Sequence, residues 1–193
     1  MKEIQPPQPI PYPDTPILKS LYRLPILAYR LGLGQFIGKY ILVISTYGRK
    51  TGKVRRTPVE FYQYQDRIFV MSGFAEKTDW YQNLLNNPQA GLNTADRQLC
   101  ARARKPETEE EWQGVLRFLK SSPVAQLSEP DLADQLEDAT LINAIKNWPV
   151  LTFDLTDEPC PLPLEADLTW AWPLILLASA GILLVGWLHN RQK

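Results

Sequence analysis

Residues 41–73 read ILVISTYGRKTGKVRRTPVEFYQYQDRIFVMSG. Residues 41–46 form a short apolar run rich in β-branched side chains, which reads as a strand. A basic loop bracketed by Gly48 and Gly52 follows. Residues 56–64 and 67–73 then flank Gln65-Asp66 and predict a hairpin. Outward from this stretch the strands continue. Residues 90–94 and 97–105 predict a second hairpin across Ala95-Asp96, and 150–155 a final strand. Helical segments lie between and beside them. Residues 15–33 read as two short helices broken near Pro25, and 80–86 as a helical turn ending before Pro88. A helix over 109–120 is capped by Thr108, with Glu111 as capping-box partner. A last helix covers 129–146. Antiparallel strands with helices at their ends predict an α+β barrel.

The C-terminal part has a different composition. Residues 168–188, LTWAWPLILLASAGILLVGWL, contain no charge over 21 positions. A helix of that length spans roughly 31 Å, the thickness of a bilayer's hydrocarbon core. Trp170, Trp172 and Trp187 lie at its two ends, where an aromatic belt would sit. The expectation is a single-pass C-terminal membrane anchor with the folded domain on the cytoplasmic side. Residues 157–167, with Pro159, Pro161 and Pro163, read as a stiff spacer. The predicted plan is a polar leader and short amphipathic helices (1–36), a folded domain (37–156), the linker (157–167), the span (168–188) and a basic tail (189–193).

Charge and residue inventory bound the chemistry. The net charge is zero, but residues 1–59 carry ten Lys/Arg and two acids, while 105–167 carry four basic residues and fourteen acids. The first half is thus suited to an anionic ligand or surface. Cys100 and Cys160 suggest neither a disulfide framework nor a metal motif, and His189 is the sole histidine. A zinc site or a Ser-His-Asp triad inside the domain is excluded by inventory. Catalysis must come from a cofactor, or from Arg, Lys, Tyr, Ser and carboxylates.

The densest chemical signal is GRKTGKVRRTP, residues 48–58, with five cations within eight residues. Its glycines allow a tight turn with outward backbone N–H groups, and Thr51 adds a hydroxyl, as phosphate binding requires. It is not a nucleotide P-loop, because three residues rather than four separate its glycines. The second signal is Met71-Ser72-Gly73 at a strand end, where a small residue lets a flat ring approach the backbone. Trp80 and Asn83 follow at a spacing that shares one helical face.

The ordered set GRKTGKVRRTP, a hairpin, SG and then WYQNLLNNP closely resembles the deazaflavin-dependent nitroreductase and quinone reductase family, over roughly residues 20–155. The resemblance implies a split β-barrel (FMN-binding split-barrel-like) that binds coenzyme F420 and passes its hydride to a quinone or nitro-type acceptor. By position, Arg49, Lys50, Thr51 and Arg55 match the groups that hold the cofactor's phosphate and acidic tail. Thr57 and Pro58 match the strand start beside them. Met71, Ser72 and Gly73 match the segment along the deazaflavin ring, and Trp80 and Asn83 the helix that closes the pocket.

Tyrosines that the best-known members place late in the chain are missing over 105–165, so Trp112, Phe118 or Trp148 are the candidates for the acceptor wall. Hydride transfer by a cofactor explains why no histidine is needed. No catalytic residue or metal ligand is assigned, and the proton comes from solvent or a hydroxyl such as Ser72. The alternatives are an FMN-dependent oxidoreductase or a non-catalytic lipid- or cofactor-binding module. The expected partners are a small-molecule or membrane quinone and the lipid bilayer, with no nucleic acid.

Overall fold

The computed structural model describes residues 15–73, 75–95, 97–122 and 138–191. The polar leader up to residue 14, Asp96 of the second hairpin turn, the first part of the 129–146 helix and the last two residues of the basic tail lie outside these. Seven strands form one sheet in the order β2-β1-β5-β6-β7-β4-β3. They are β1 (Ile41–Tyr47), β2 (Val54–Glu60), β3 (Tyr62–Tyr64), β4 (Arg67–Met71), β5 (Gln89–Asn93), β6 (Gln98–Arg104) and β7 (Val150–Leu155). Every neighbouring pair is antiparallel. The β3–β4 turn holds Gln65 at φ 48° and Asp66 at φ 62°. Two positive values match the turn that suits a two-residue hairpin.

The helices are α1 (Pro16–Leu21), α2 (Leu24–Arg30), α3 (Gly34–Ile37), α4 (Asp79–Asn86), α5 (Glu109–Ser121), α6 (Asp138–Ile145) and α7 (Trp172–Arg191). Pro25 lies in the first turn of α2, so the break between the first two helices falls just before it.

Strand alternation sorts the apolar residues into layers. Ile68 and Val70 of β4, Leu42 and Ile44 of β1, and Leu151 and Phe153 of β7 face a common core that also takes Trp80, Tyr81 and Leu84 of α4. Their neighbours Phe69 and Val150 face the opposite way, into a second core with Trp112, Val115 and Leu116 of α5 and Leu141 and Ile145 of α6. Val43 of β1 meets Tyr29 of α2 and Leu164 in a third, smaller cluster.

Two expectations are corrected. The fold is an open antiparallel sheet with flanking helices, not the split β-barrel expected from the sequence. β2 and β3 are its two edges, yet only Phe61 separates them. They are two arms of one bent strand. With a single residue between them they cannot turn back and pair, because a hairpin needs a loop of about two residues. The sheet therefore curls around its core without a ladder between its edges.

The membrane span is overturned as well. Leu168 is not helical, Thr169–Ala171 is a 3-10 turn, and α7 starts only at Trp172 with Pro173 in its first turn. The apolar run inside α7 is then 172–188, at the lower limit of the length that spans a hydrocarbon core. Among the described residues, no helix is long and apolar enough to cross a membrane. The expected single-pass anchor, and the membrane localisation that rested on it, go with this finding.

A disulfide that the spacing did not suggest joins Cys100 on β6 to Cys160. Residues 160–167, read from sequence as part of a spacer, run as a strap against the sheet. Asn93 of β5 donates from Nδ2 to the Leu164 carbonyl at 2.8 Å and accepts from the Leu164 N–H at 2.7 Å. The Gln98 side-chain amide donates to the same carbonyl at 3.0 Å. Gly91 sits beneath the strap, where any Cβ would collide with the Pro161 carbonyl. Beyond it, the Arg30 guanidinium of α2 grips Asp167 through two bonds of 2.7 and 2.8 Å.

Candidate active site

The basic loop is folded tightly between β1 and β2. The Gly48 N–H donates to the Lys53 carbonyl at 2.9 Å, and the Gly52 N–H to the Gly48 carbonyl at 2.7 Å. Gly52 has φ +65°, which an L side chain rarely adopts. Helix α4 fastens this loop from the side. Asn83, 3% exposed, accepts from the Arg49 backbone N–H at 3.1 Å and donates to Thr46 Oγ1 at 3.1 Å. The Arg49 guanidinium reaches Asp79 at 2.8 Å and Asn83 Oδ1 at 3.3 Å. Arg49 is thereby tied to α4. Lys50 and Arg55 have no carboxylate partner among the described residues.

A cavity of about 1500 Å³ opens beside this loop. Arg49, Lys50, Thr51, Arg55, Thr57, Pro58, Met71, Gly73, Trp80 and Asn83 all line it. Of the residues predicted to hold the cofactor, Ser72 alone is not among the lining residues. It is buried, and its Oγ shares a 2.8 Å hydrogen bond with Thr78 Oγ1 beneath the wall. That placement does not suit Ser72 to proton delivery. Apart from its chain neighbours, no atom among the described residues lies within 4 Å of where a Cβ on Gly73 would stand. This leaves a strip of bare backbone open to a flat group.

Other parts of the wall were not foreseen. Tyr22, Ile26 and Leu27 come from the α1–α2 region, Glu60 from the end of β2, and Leu162, Pro163 and Glu165 from the strap. Only the strap's docking brings its residues to the cavity, and no local pattern signals it. The amphipathic pattern of 15–33 does signal a covering helix, though not what it covers. Of the three acceptor-wall candidates, Phe118 lines the cavity, whereas Trp112 and Trp148 are buried in the α5–α6 core.

The cavity's electrostatics are mixed. Arg56 donates to the strap carbonyls of Leu162 and Pro163 at 3.3 and 3.5 Å. Glu60 is raised above the usual carboxylate value by burial, which outweighs the opposing hydrogen bond from Ser122. Outside the cavity, Arg104 depresses Glu111 to about 2 through hydrogen bonds, in a network that also takes in Asp154 and Arg67.

The residues present fit a long, flat polyanion such as F420. Lys50 and Arg55, which have no carboxylate partner among the described residues, line the cavity together with the glycine-rich turn, Gly73 and Trp80. The cavity is a broad, open cleft, larger than the few hundred to about 1000 Å³ of an ordinary ligand site.

Comparison with known proteins agrees with this. Among solved structures, an F420-H2 dependent reductase is 22% identical, with 60% of this chain and 95% of that one covered at a TM-score of 0.40. A putative 5-nitroimidazole antibiotic resistance protein from Bacteroides thetaiotaomicron is 12% identical, over 67% and 80% of the two chains, at 0.41. These likenesses are too distant to bear on function. Residues 28–125, just over half of the chain, match the family described as F420H(2)-dependent quinone reductase. The FMN and non-catalytic alternatives give way to that match: the chain belongs to the F420H(2)-dependent quinone reductase family, and is a deazaflavin-dependent oxidoreductase whose cofactor is coenzyme F420.

Proposed function

We propose that the chain reduces a quinone in this cavity, with F420 lying from the 48–58 loop to Gly73. The observation that carries this reading is the pair Lys50 and Arg55, two cations that line the cavity and have no carboxylate partner among the described residues. Such groups call for an anion. Lys50, Arg55 and the Thr51 hydroxyl bind the cofactor's phosphate and acidic tail. Arg49 and Asn83 hold the loop in shape. Met71 and Gly73 offer a flat bed for the ring, and Trp80 keeps water from it. The bound cofactor supplies the hydride. Phe118, Ile26 and Leu27 give the remaining space an apolar side that suits a flat, weakly polar acceptor such as a quinone.

The test has two stages. Purified protein is titrated with F420 and binding followed by fluorescence. Oxidation of reduced F420 is then followed by absorbance with a series of quinones and one nitroaromatic compound. Binding together with turnover of quinones is the expected result. A Gly73→Val variant should lose at least about ten-fold in F420 affinity while keeping its thermal midpoint, because the added side chain fills only the ring's space. Binding without oxidation by any quinone would refute the acceptor assignment. Unaltered affinity in Gly73→Val would move the ring elsewhere.

A further inference from the structure

We propose that the Glu60 carboxyl, positioned by Ser122, delivers the proton that completes reduction of the acceptor. The inference rests on the quinone reading above. Glu60 is the last residue of β2, and it lines the same cavity as Met71, Gly73 and Phe118. Ser122 caps the C-terminal end of α5 and is 3% exposed. Its Oγ donates to the carboxylate, lying 3.0 Å from each oxygen. The acid is therefore held at a defined place on the cavity wall.

Among the cavity's acids Glu60 and Glu165 have no salt bridge among the described residues, and of these two Glu165 is exposed whereas Glu60 is partly buried and held by Ser122. Arg23 and Arg30 reach the cavity from the α1–α2 region, Arg49, Lys50, Arg55 and Arg56 from the basic loop and β2, Asp79 from α4, and Glu165 and Asp167 from the strap. Asp79 is paired with Arg49, and Asp167 with Arg30. Glu60 has no salt bridge among the described residues, although cations are plentiful in the cavity. Only burial and Ser122 act on its titration, and burial prevails, raising it. A carboxyl without an ion-pair partner and partly out of water holds its proton to higher pH than an exposed one, which suits it to act as an acid.

The chemistry balances. A quinone that accepts a hydride (two electrons and one proton) from the reduced deazaflavin becomes a hydroquinone monoanion. The O–H bond of Glu60 breaks and a new O–H bond forms on the anionic oxygen, giving the neutral hydroquinone. Glu60 is left as the carboxylate and regains a proton from water at the cavity mouth. No further oxidant or reductant is needed.

Glu60→Gln keeps the shape of the side chain and removes the acid. It should lower kcat for a quinone by about 10²-fold or more, with KM and F420 affinity held within about two-fold. In the wild type the acid form is the active one, so kcat should fall as pH rises through the Glu60 pKa; Glu60→Gln should lose that limb. Ser122→Ala removes the hydrogen bond that favours the carboxylate, so the limb should move to higher pH. The same move is read without cofactor, by titrating the Glu60 side-chain carbon with ¹³C NMR in the protein alone. A Glu60→Gln enzyme with unchanged kcat and the same alkaline limb overturns the proposal, as does a carboxyl that titrates at the ordinary value and ignores Ser122→Ala. Wild-type protein inactive towards every quinone overturns the acceptor reading and this role with it. An active wild type with an unaffected Glu60→Gln variant overturns the role of Glu60 alone.

Discussion

Arg49, Lys50 and Arg55 look alike in the sequence and differ in the fold. Arg49 spends its guanidinium on Asp79 and Asn83 and its N–H on Asn83, so it shapes the loop. Lys50 and Arg55 line the cavity and have no carboxylate partner among the described residues. Lys50→Ala and Arg55→Ala should each weaken F420 binding by roughly ten-fold or more, because a charge-assisted contact is worth about 1.5–3 kcal/mol. Raising the salt concentration should weaken wild-type binding too and narrow the gap to the variants. Fluorescence titrations at two ionic strengths check both statements. Unchanged affinity in both variants would remove the loop from the site. The cations were legible because charge density is a local property. Which of them is already neutralised depended on α4, about thirty residues further along.

At the scale of the element, α5 shows how a local cap joins the fold. Thr108 Oγ1 accepts from the Glu111 N–H, and the Glu111 carboxylate accepts from the Thr108 N–H, as the sequence pattern implied. Glu111 also meets Arg104 of β6 and Arg67 of β4 with its side chain only 3% exposed. Its carboxyl falls from the ordinary 4.5 to about 2, chiefly through the hydrogen bonds from Arg104. A depressed carboxyl stabilises the fold above its unfolded value, and that stability is lost as pH falls towards the folded one. Urea unfolding should therefore show stability declining from about pH 5 towards pH 2. Glu111→Gln should cost roughly 2–4 kcal/mol at pH 7 and flatten that decline, because it leaves Arg104 and Arg67 short of a buried partner. Equal slopes for the two proteins below pH 5 would show that Glu111 does not govern it.

For the molecule as a whole, the strap decides the most. It is fastened to the rest of the fold through Cys160, Leu164 and Asp167, and it supplies part of the cavity wall. Its disulfide closes a loop of 60 residues. Replacing both cysteines with serine should cost about 2–4 kcal/mol in urea unfolding. The wild-type protein in reductant should approach the variant, and the variant should not respond. A wild type insensitive to reductant would show that the bridge contributes nothing. Beyond the strap, α7 leaves Leu176 and Leu177 well exposed, so the strap's contacts, not those side chains, tie the C-terminal part to the sheet.

The strand runs, the Gln65-Asp66 turn, the Thr108 cap and the basic loop were all readable from the sequence, because each depends on residues within a few positions of one another. So was the family, which an ordered set of such local pieces carries. The tertiary structure alone decided four things: that β2 and β3 become unpaired edges of an open sheet, that no helix among the described residues is long and apolar enough to cross a membrane, that Cys100 meets Cys160, and that Glu60 is hydrogen-bonded by Ser122. The last two join residues about sixty positions apart. Edge pairing depends on how the whole sheet closes, and helix onset on where the strap delivers the chain. Contacts of that kind follow from the path of the entire backbone and leave no periodic trace in the residues that make them.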